Sequence, residues 1–424
     1  MLAAVSGVFY YIRREKNMEI RKLDRWEEWM ESDRIIGTAF LLGWNEKESE
    51  ERFRKQAGGE EARNEEAWGV FNEDGVMYTS FVTSTRNVMF DEQVIPISEI
   101  NMVASLPEYR NEGNVRKLMA AVLRDFRSRG DVSAVLHPFS FAFYRKFGFD
   151  LITKNMTQKL PVGELKNFTC RYKVHQVRSE KDLPTLRLLY ETYIRTRNLA
   201  PLRTDRDWVY RGNGEVGQPD WFSREKQSYT YLFSDEAGAH AYLKFVFNYG
   251  PEGPFNGDMR VNELIYDSPE AFKNVMGFIY GMRAKLINVI LEIPDVIDLS
   301  VLIPECNRAE QTLGGHLMGR VLDPEKVLTL MKQPEGSGSY TIRINDDFLE
   351  ENTGIFTVRY QDGKTVSVSR ETREADLVLD IRTFSQLASG MLCLEQALYR
   401  EGTVLKNNKA ILKQLFGKKL TYAS

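Results

Sequence analysis

A strand, a loop and an amphipathic helix follow one another in the first third of the chain, and this order is the strongest constraint on the fold. Ile97–Leu106 is a strongly apolar run that predicts a strand. From Val115 to Phe126 the apolar residues recur at three- and four-residue spacing, which predicts a helix with one buried face. Gly113 stands directly before this helix, and Gly130 is a suitable terminator. Because the first turn of a helix has N–H groups without internal partners, the loop predicts a site for a diphosphate.

An aromatic segment downstream adds a candidate proton donor. Val132–Leu136 predicts a second strand, and residues 143–149 (FYRKFGF) follow it, with Tyr144 near their start. A phenol is protonated at neutral pH, so the Tyr144 hydroxyl can donate a proton to a leaving thiolate. The alternative interpretation is that Tyr144 is one member of a packed cluster of aromatic side chains. A diphosphate site and a phenol within one segment are what acyl transfer from a CoA thioester requires.

Two stretches together carry a resemblance to a known family. Residues 110–115 (RNEGNV), followed by FYRKFGF, resemble the GNAT superfamily of N-acetyltransferases. More narrowly, the chain resembles the Eis-type family, in which two acetyltransferase-like domains precede a sterol-carrier-protein-type domain. The usual superfamily signature has Gly or Ala where this chain has Val115, and Eis-like members also have an aliphatic residue there. The resemblance covers the chain from about Met18 onward.

The resemblance implies a mixed α+β architecture with two tandem GNAT-like domains followed by a sterol-carrier-type domain of one sheet plus helices. A chain of 424 residues also exceeds the usual size of a single core. The predicted divisions are an N-terminal extension at 1–17, an acetyl-CoA-binding GNAT domain at 18–165, a degenerate GNAT-like domain at 166–310 and a sterol-carrier-type domain at 311–424.

The two GNAT-like regions share an order of hairpin, strand and helix, but the second lacks the phosphate loop. There, Asp267 and Ser268 lead directly into a helix that begins at Pro269, with Glu270 in its first turn. Two carboxylates at that terminus would repel a diphosphate. In the last hundred residues, short β-branched runs and the turn Asp362-Gly363 predict a sheet, and amphipathic patterns predict the helices that follow it.

Charge and cysteine content indicate which partners and compartment to expect. The net charge of −3 gives no support for nucleic acid or an anionic membrane as a partner. The three cysteines form no CxxC pair and the four histidines are scattered, so we expect a cytoplasmic protein without a metal site. The apolar run near the N-terminus is too short to span a bilayer. The family resemblance implies a homo-oligomer, a hexamer in that family.

The resemblance also implies which residues contact acetyl-CoA. The strand contributes the edge that would pair with the pantetheine arm, the loop and helix start would hold the phosphates, and a third group lies just past the second strand. These residues are Val103, Ala104 and Ser105; Asn111, Glu112, Gly113, Asn114, Val115 and Arg116; and Phe139 and Ser140. Arg110 and Lys117 would add positive charge nearby.

The expected reaction is acetyl transfer from acetyl-CoA to a primary amine, either on a small aminoglycoside-like polyamine or on a peptide lysine. A free alkylamine has a pKa near 10.4, so it must lose a proton before it attacks. Tyr144 is the predicted acid. For the base, the resemblance implies the α-carboxylate of the C-terminal residue, here Ser424, and Glu99 on the first strand is the alternative. The competing hypothesis is a catalytically silent protein that binds CoA or a lipid, or assembles a complex.

Overall fold

The computed structural model describes residues 18–57, 65–210, 228–250, 253–293 and 297–422. The predicted extension at 1–17 and the predicted catalytic residue Ser424 lie outside the described residues.

Nineteen strands and eleven helices are described, besides short 3₁₀ turns. The first are β1 (Glu19–Lys22), α1 (Trp26–Ala39), α2 (Glu46–Ala57), β2 (Glu65–Phe71), β3 (Met77–Phe90), β4 (Gln93–Ser105), α3 (Asn114–Arg129), β5 (Ser133–Leu136), α4 (Phe141–Arg145) and β6 (Asp150–Leu151). There follow β7 (Lys154–Pro161), β8 (Lys173–Gln176), α5 (Leu183–Ile194), α6 (Asp205–Tyr210), β9 (Ser228–Ser234), β10 (Ala239–Gly250), β11 (Gly253–Tyr266), α7 (Pro269–Gly281), β12 (Leu286–Ile293) and β13 (Glu310–Gly315). The last are β14 (Met318–Val321), α8 (Pro324–Leu330), β15 (Ser337–Asn345), β16 (Gly354–Gln361), β17 (Lys364–Arg370), β18 (Leu377–Asp380), α9 (Ile381–Ser389), α10 (Leu394–Ala397), β19 (Val404–Leu405) and α11 (Lys409–Leu415).

The strands form three mixed sheets, which confirms the predicted α+β class. Their strand orders are β1-β2-β3-β4-β5-β14-β6, β13-β7-β12-β11-β10-β9-β8 and β17-β16-β15-β18-β19. In the first sheet, β4 and β5 are parallel and α3 connects them. In the second, β11 and β12 are parallel and α7 connects them, so the predicted internal repeat is present.

Two strands belong to sheets that their position in the chain does not suggest. β14 lies between β5 and β6 of the first sheet, where Gly319 pairs with Val135 and Asp150. β7 lies in the second sheet, paired with β12 and β13, although the sequence-based division assigned it to the first domain.

The chain forms two compact units. The first comprises the described parts of 1–87, 94–152 and 317–418, and the second comprises those of 88–93, 153–316 and 419–424. The chain therefore changes unit at 152/153 and 316/317, and also around the short segments 88–93 and 419–424. The domain boundaries at 165/166 and 310/311 remain sequence predictions.

The helix α3 confirms the periodicity argument. Its buried side chains include Leu118, Val122 and Phe126, which lie on one face and join the core of the first unit. Gly113 (φ 79°) and Gly130 (φ 93°) flank the helix in the left-handed conformation that glycine adopts at low cost.

Residues 317–418 of the sterol-carrier-type region lie in the same unit as the first sheet. Its predicted hairpin is confirmed, with Asp362 (φ 47°) and Gly363 (φ 76°) both left-handed between β16 and β17. The helix α9 has nearly all of its side chains buried. No described helix has the length and apolar character needed to cross a membrane.

Candidate active site

Strand β4 extends beyond the end of β5, whose last residue is Leu136. The two strands pair from Ser98 to Ile100, opposite Ala134–Leu136. Met102 then adopts a left-handed φ of 53°, which is uncommon for a residue with a side chain and marks a local irregularity in the strand. Val103–Ser105 lie beyond this point, along a cavity rather than along β5.

The cavity has a volume of about 560 Å³ and lies within the first unit. It brings together most of the predicted CoA contacts, namely Val103, Ala104, Ser105, Asn111, Gly113, Asn114, Val115 and Phe139. Five further residues line it that were not among the predicted contacts, namely Ala39, Phe40, Tyr109, Phe143 and Arg110, which was expected only to add positive charge nearby. Three predicted contacts are not among the lining residues, namely Glu112, Arg116 and Ser140.

The N-terminus of α3 has no side-chain cap, unlike the N-termini of α7, α8 and α9. Ser268 at α7, Asp323 at α8 and Asp380 at α9 each accept a hydrogen bond from a backbone N–H of the first turn. At α3 the capping position is Gly113, which offers no side-chain acceptor, and the first turn contains no acidic residue. The first-turn N–H groups therefore remain available to an anion in the cavity.

Local contacts explain why three predicted residues are not in the lining. Arg116 donates to the carbonyl of Lys146 (3.3 Å), and its guanidinium lies 4.8 Å from the ring centroid of Phe348. Glu112 accepts from the side-chain amide of Asn114 at 3.3 Å. Ser140 is the cap of α4, where its hydroxyl accepts from the Phe143 N–H at 3.3 Å.

Positive charge at the cavity comes from a residue in the loop itself. Arg110 lines the cavity and donates to the carbonyl of Ala39 at 3.1 Å. This bond ties the phosphate loop to the end of α1. Ala39 and Phe40 are more than sixty residues away in sequence, and the signal that could have found them is the exposed apolar run Phe40–Leu42 after α1.

Tyr144 lies behind the cavity wall, on the five-residue helix α4. Its side chain is 3% exposed. Its ring meets Phe139 at 5.4 Å and Phe143 at 5.1 Å between centroids, and both of these residues line the cavity. Burial raises the pKa of the Tyr144 phenol to about 12, so the hydroxyl keeps its proton at neutral pH. The residue is therefore both a member of the predicted aromatic cluster and a protonated donor.

The alternative base, Glu99, is already engaged. It is 5% exposed on β4 and forms an ion pair with Arg86, and the Ser84 hydroxyl donates to it at 3.4 Å. These contacts hold the Glu99 carboxylate against neighbouring side chains of the sheet.

The C-terminal tail is anchored within the second unit as far as Tyr422. The Tyr422 N–H donates to the Asn198 carbonyl (3.1 Å), and its buried hydroxyl donates to Glu263 (3.2 Å). Lys419 pairs with Asp91 at 2.7 Å. These contacts fix the chain two residues before Ser424.

Two known domain families match parts of the chain. The acetyltransferase (GNAT) domain family matches residues 19–152, which include β4, the phosphate loop, α3 and α4. The chain carries a GNAT acetyltransferase domain. The sterol carrier protein domain family matches residues 325–424. No curated protein matches the chain.

Solved structures share the fold over nearly the whole chain. A GCN5-related N-acetyltransferase from Anabaena variabilis ATCC 29413 has 18% identity and a TM-score of 0.77, covering 95% of this chain and 98% of that one. Eis1 from Mycobacterium abscessus has 17% identity and a TM-score of 0.73, covering 96% and 99%. A GCN5-related N-acetyltransferase from Kribbella flavida has 18% identity and a TM-score of 0.69, covering 96% and 97%.

The protein is an acyltransferase, and the family of its GNAT domain at 19–152 uses acyl-CoA. Among the described residues no group of three or more His, Cys, Asp or Glu side chains is arranged to hold a metal ion.

The uncapped start of α3 predicts how charge at Gly113 affects CoA. We expect Gly113→Asp to lower CoA affinity at least about tenfold more than the matched Gly113→Asn variant does, because only aspartate adds a negative charge facing the diphosphate. Asp and Asn have the same shape, both tolerate the left-handed backbone, and both can cap a helix. A Cβ at position 113 meets no atom within 4 Å, so both variants should fold. Calorimetric titration with CoA measures the difference, and equal affinities would contradict the phosphate-site assignment.

Proposed function

We propose that the protein is an acetyl-CoA-dependent N-acetyltransferase that acetylates primary amines. The observation that carries this proposal is the cavity between the Val103–Ser105 strand and the uncapped start of α3. Two of the solved structures with a similar fold are GCN5-related N-acetyltransferases, which agrees with this proposal.

The residues of the cavity fit acetyl-CoA by their chemistry. Backbone N–H groups at the start of α3 and the guanidinium of Arg110 suit the diphosphate. The strand segment Val103–Ser105 has backbone groups that can pair with the amides of the pantetheine arm, as an added strand would. Phe139 and Phe143 provide an apolar wall for the less polar part of the molecule.

Tyr144 is proposed as the general acid. When the tetrahedral intermediate collapses, the C–S bond breaks, the sulfur keeps the electron pair, and the Tyr144 hydroxyl donates a proton to it. A pKa of about 12 keeps the phenol protonated over the whole working range of pH. The amine nitrogen loses one proton to the base, and the return of a proton to the Tyr144 phenolate restores the acid, so the products are the amide and the free thiol of CoA.

The base that takes the amine's proton is proposed to be the Ser424 α-carboxylate. The ion pair between Glu99 and Arg86 makes Glu99 the weaker candidate. A terminal carboxylate has a pKa near 3.5 in water and becomes a better base only where burial disfavours its charge.

The acceptor is proposed to be a small polyamine or a peptide lysine, and the protein is proposed to act in the cytoplasm as a homo-oligomer. A thiol-release assay with acetyl-CoA across an amine panel tests the proposed activity, with CoA binding measured in parallel. CoA binding without turnover on any amine would instead favour the silent binding protein.

Replacing the proposed acid gives a direct prediction. We expect Tyr144→Phe to lower kcat by about 10²–10⁴, the usual effect of losing general acid catalysis. The change preserves the ring that packs against Phe139 and Phe143, so stability should change little. Steady-state thiol release at saturating acetyl-CoA measures it.

Tyr109→Phe is the matched control, because it removes the same group from a tyrosine that lines the cavity and has no proposed part in proton transfer. A fall of less than about threefold for Tyr144→Phe would mean that Tyr144 only packs.

The two candidate bases predict opposite results for two variants. Extending the chain by a few residues beyond Ser424 replaces the α-carboxylate with a neutral peptide group. If Ser424 is the base, this extension should lower kcat by about 10²-fold or more while CoA affinity persists, and Glu99→Gln should leave kcat nearly unchanged. If Glu99 is the base, Glu99→Gln should lower kcat by about 10²-fold or more, and the extension should leave kcat nearly unchanged. Full activity in both variants would reject both assignments.

A further inference from the structure

We propose that the sterol-carrier-type region positions the Tyr144 segment for the transfer step, with Arg320, Asp346 and Arg400 as positioning residues. This inference rests on the proposed function, because it assigns to these residues the placement of the proposed acid. All of them lie in the first unit with Tyr144.

The first contact joins a fully buried arginine of β14 to the chain just after α4. Arg320 on β14 donates to the carbonyl of Phe147 at 2.5 Å and to the carboxylate of Asp346 at 2.5 Å, and both charged side chains are 0% exposed. The next residue, Gly148, has a φ of 79°, and a Cβ there would lie 2.6 Å from the guanidinium of Arg320. The arginine thus fills the space against this turn and fixes where the Tyr144 helix ends.

The carboxylate of Asp346 holds a loop against both helices of the site. It accepts from the N–H groups of Phe348 (3.1 Å) and Leu349 (3.0 Å) and from the side-chain amide of Asn352 (2.9 Å). Asn352 in turn accepts from Arg127 on α3 at 2.8 Å. The loop between β15 and β16 therefore connects the helix of the phosphate site to the turn that follows Tyr144.

Phe348 adds apolar contact at the same place. Its ring lies 5.4 Å from that of Phe147 and 4.8 Å from the guanidinium of Arg116, on the first turn of α3. The loop thus packs between the start of α3 and the end of the Tyr144 segment.

A second contact acts from another part of the sterol-carrier-type region. Asp150 is 0% exposed and accepts from Arg145, the neighbour of Tyr144, at 3.1 Å and from Arg400 at 2.7 Å. Gln386 on α9 donates to the carbonyl of Leu151 at 2.9 Å. Side chains from beyond residue 317 therefore hold Phe147 within the FYRKFGF segment and Asp150 and Leu151 just after it.

These contacts are significant because α4 cannot hold its own position. A helix of five residues is far below the length at which a helix is stable in isolation. Its orientation must come from what it is bonded to. A displacement of about 1 Å in a catalytic group can cost about 10²-fold in rate, so the region can control turnover without touching a substrate.

The experiment compares variants of two positioning residues with a matched control. Arg400→Gln and Asp346→Asn should each lower kcat about tenfold or more while KM for acetyl-CoA stays within about threefold. Asp376→Asn is the control, because Asp376 is a similarly buried carboxylate that bonds Thr341 and Asn408 in the same region, away from α4. It should leave kcat unchanged. Arg400→Lys, which keeps the charge, should recover much of the activity.

The outcomes separate this proposal from the assignment of Tyr144. When Arg400→Gln or Asp346→Asn is combined with Tyr144→Phe, kcat should fall little further, because both changes act through the same hydroxyl. A normal kcat in folded Arg400→Gln, together with a low kcat in Tyr144→Phe, would reject the positioning role and leave Tyr144 as the acid. A near-normal kcat in Tyr144→Phe itself would reject Tyr144 as the general acid. Arg400 is the more exposed partner, so its variant decides the question if Asp346→Asn does not fold.

Discussion

The candidate site depends on one backbone feature, the left-handed conformation of Gly113 at the start of α3. It begins the helix without a side-chain cap and leaves the first-turn N–H groups facing the cavity. The left-handed φ of Met102 is a second backbone irregularity, and Val103–Ser105 follow it, beyond the last pair of β4 with β5. An anion site and an open strand edge thereby meet in one cavity. The corresponding helix of the second sheet, α7, begins with the capping residue Ser268. Its start therefore offers no such place for a diphosphate.

Sequence reasoning found the features that are encoded locally. The span of α3, its terminator Gly130 and the Asp362-Gly363 hairpin follow from periodicity and turn chemistry, which act over a few residues. Eight of the eleven predicted CoA contacts line the cavity for the same reason, because they lie in one continuous segment or just after the next strand. Of the three exceptions, Glu112 and Ser140 are held by bonds to residues two and three positions away, whereas Arg116 contacts Lys146 and Phe348, which no local pattern indicates.

Features that depend on distant pairing could not be predicted. The exchange of β7 and β14 between the sheets is set by tertiary packing, and the hydrophobic pattern of a strand does not specify its partner. Ala39 and Phe40 reach the cavity through the bond from Arg110, and Arg320 reaches the Tyr144 segment through β14. The position of β14 explains why the sterol-carrier-type region shares a unit with the GNAT domain, and it gives that region a structural role in the site.

The central claim is that acyl-CoA binds along Val103–Ser105 and at the start of α3. Hydrogen exchange measured by mass spectrometry with and without CoA tests this most directly, because it reports on backbone N–H groups. The account predicts slower exchange in peptides that cover residues 103–106 and 113–117. It also predicts unchanged exchange at the start of α7, where Ser268 already caps the helix. Unchanged exchange at both predicted segments, under conditions in which CoA is bound, would contradict the account.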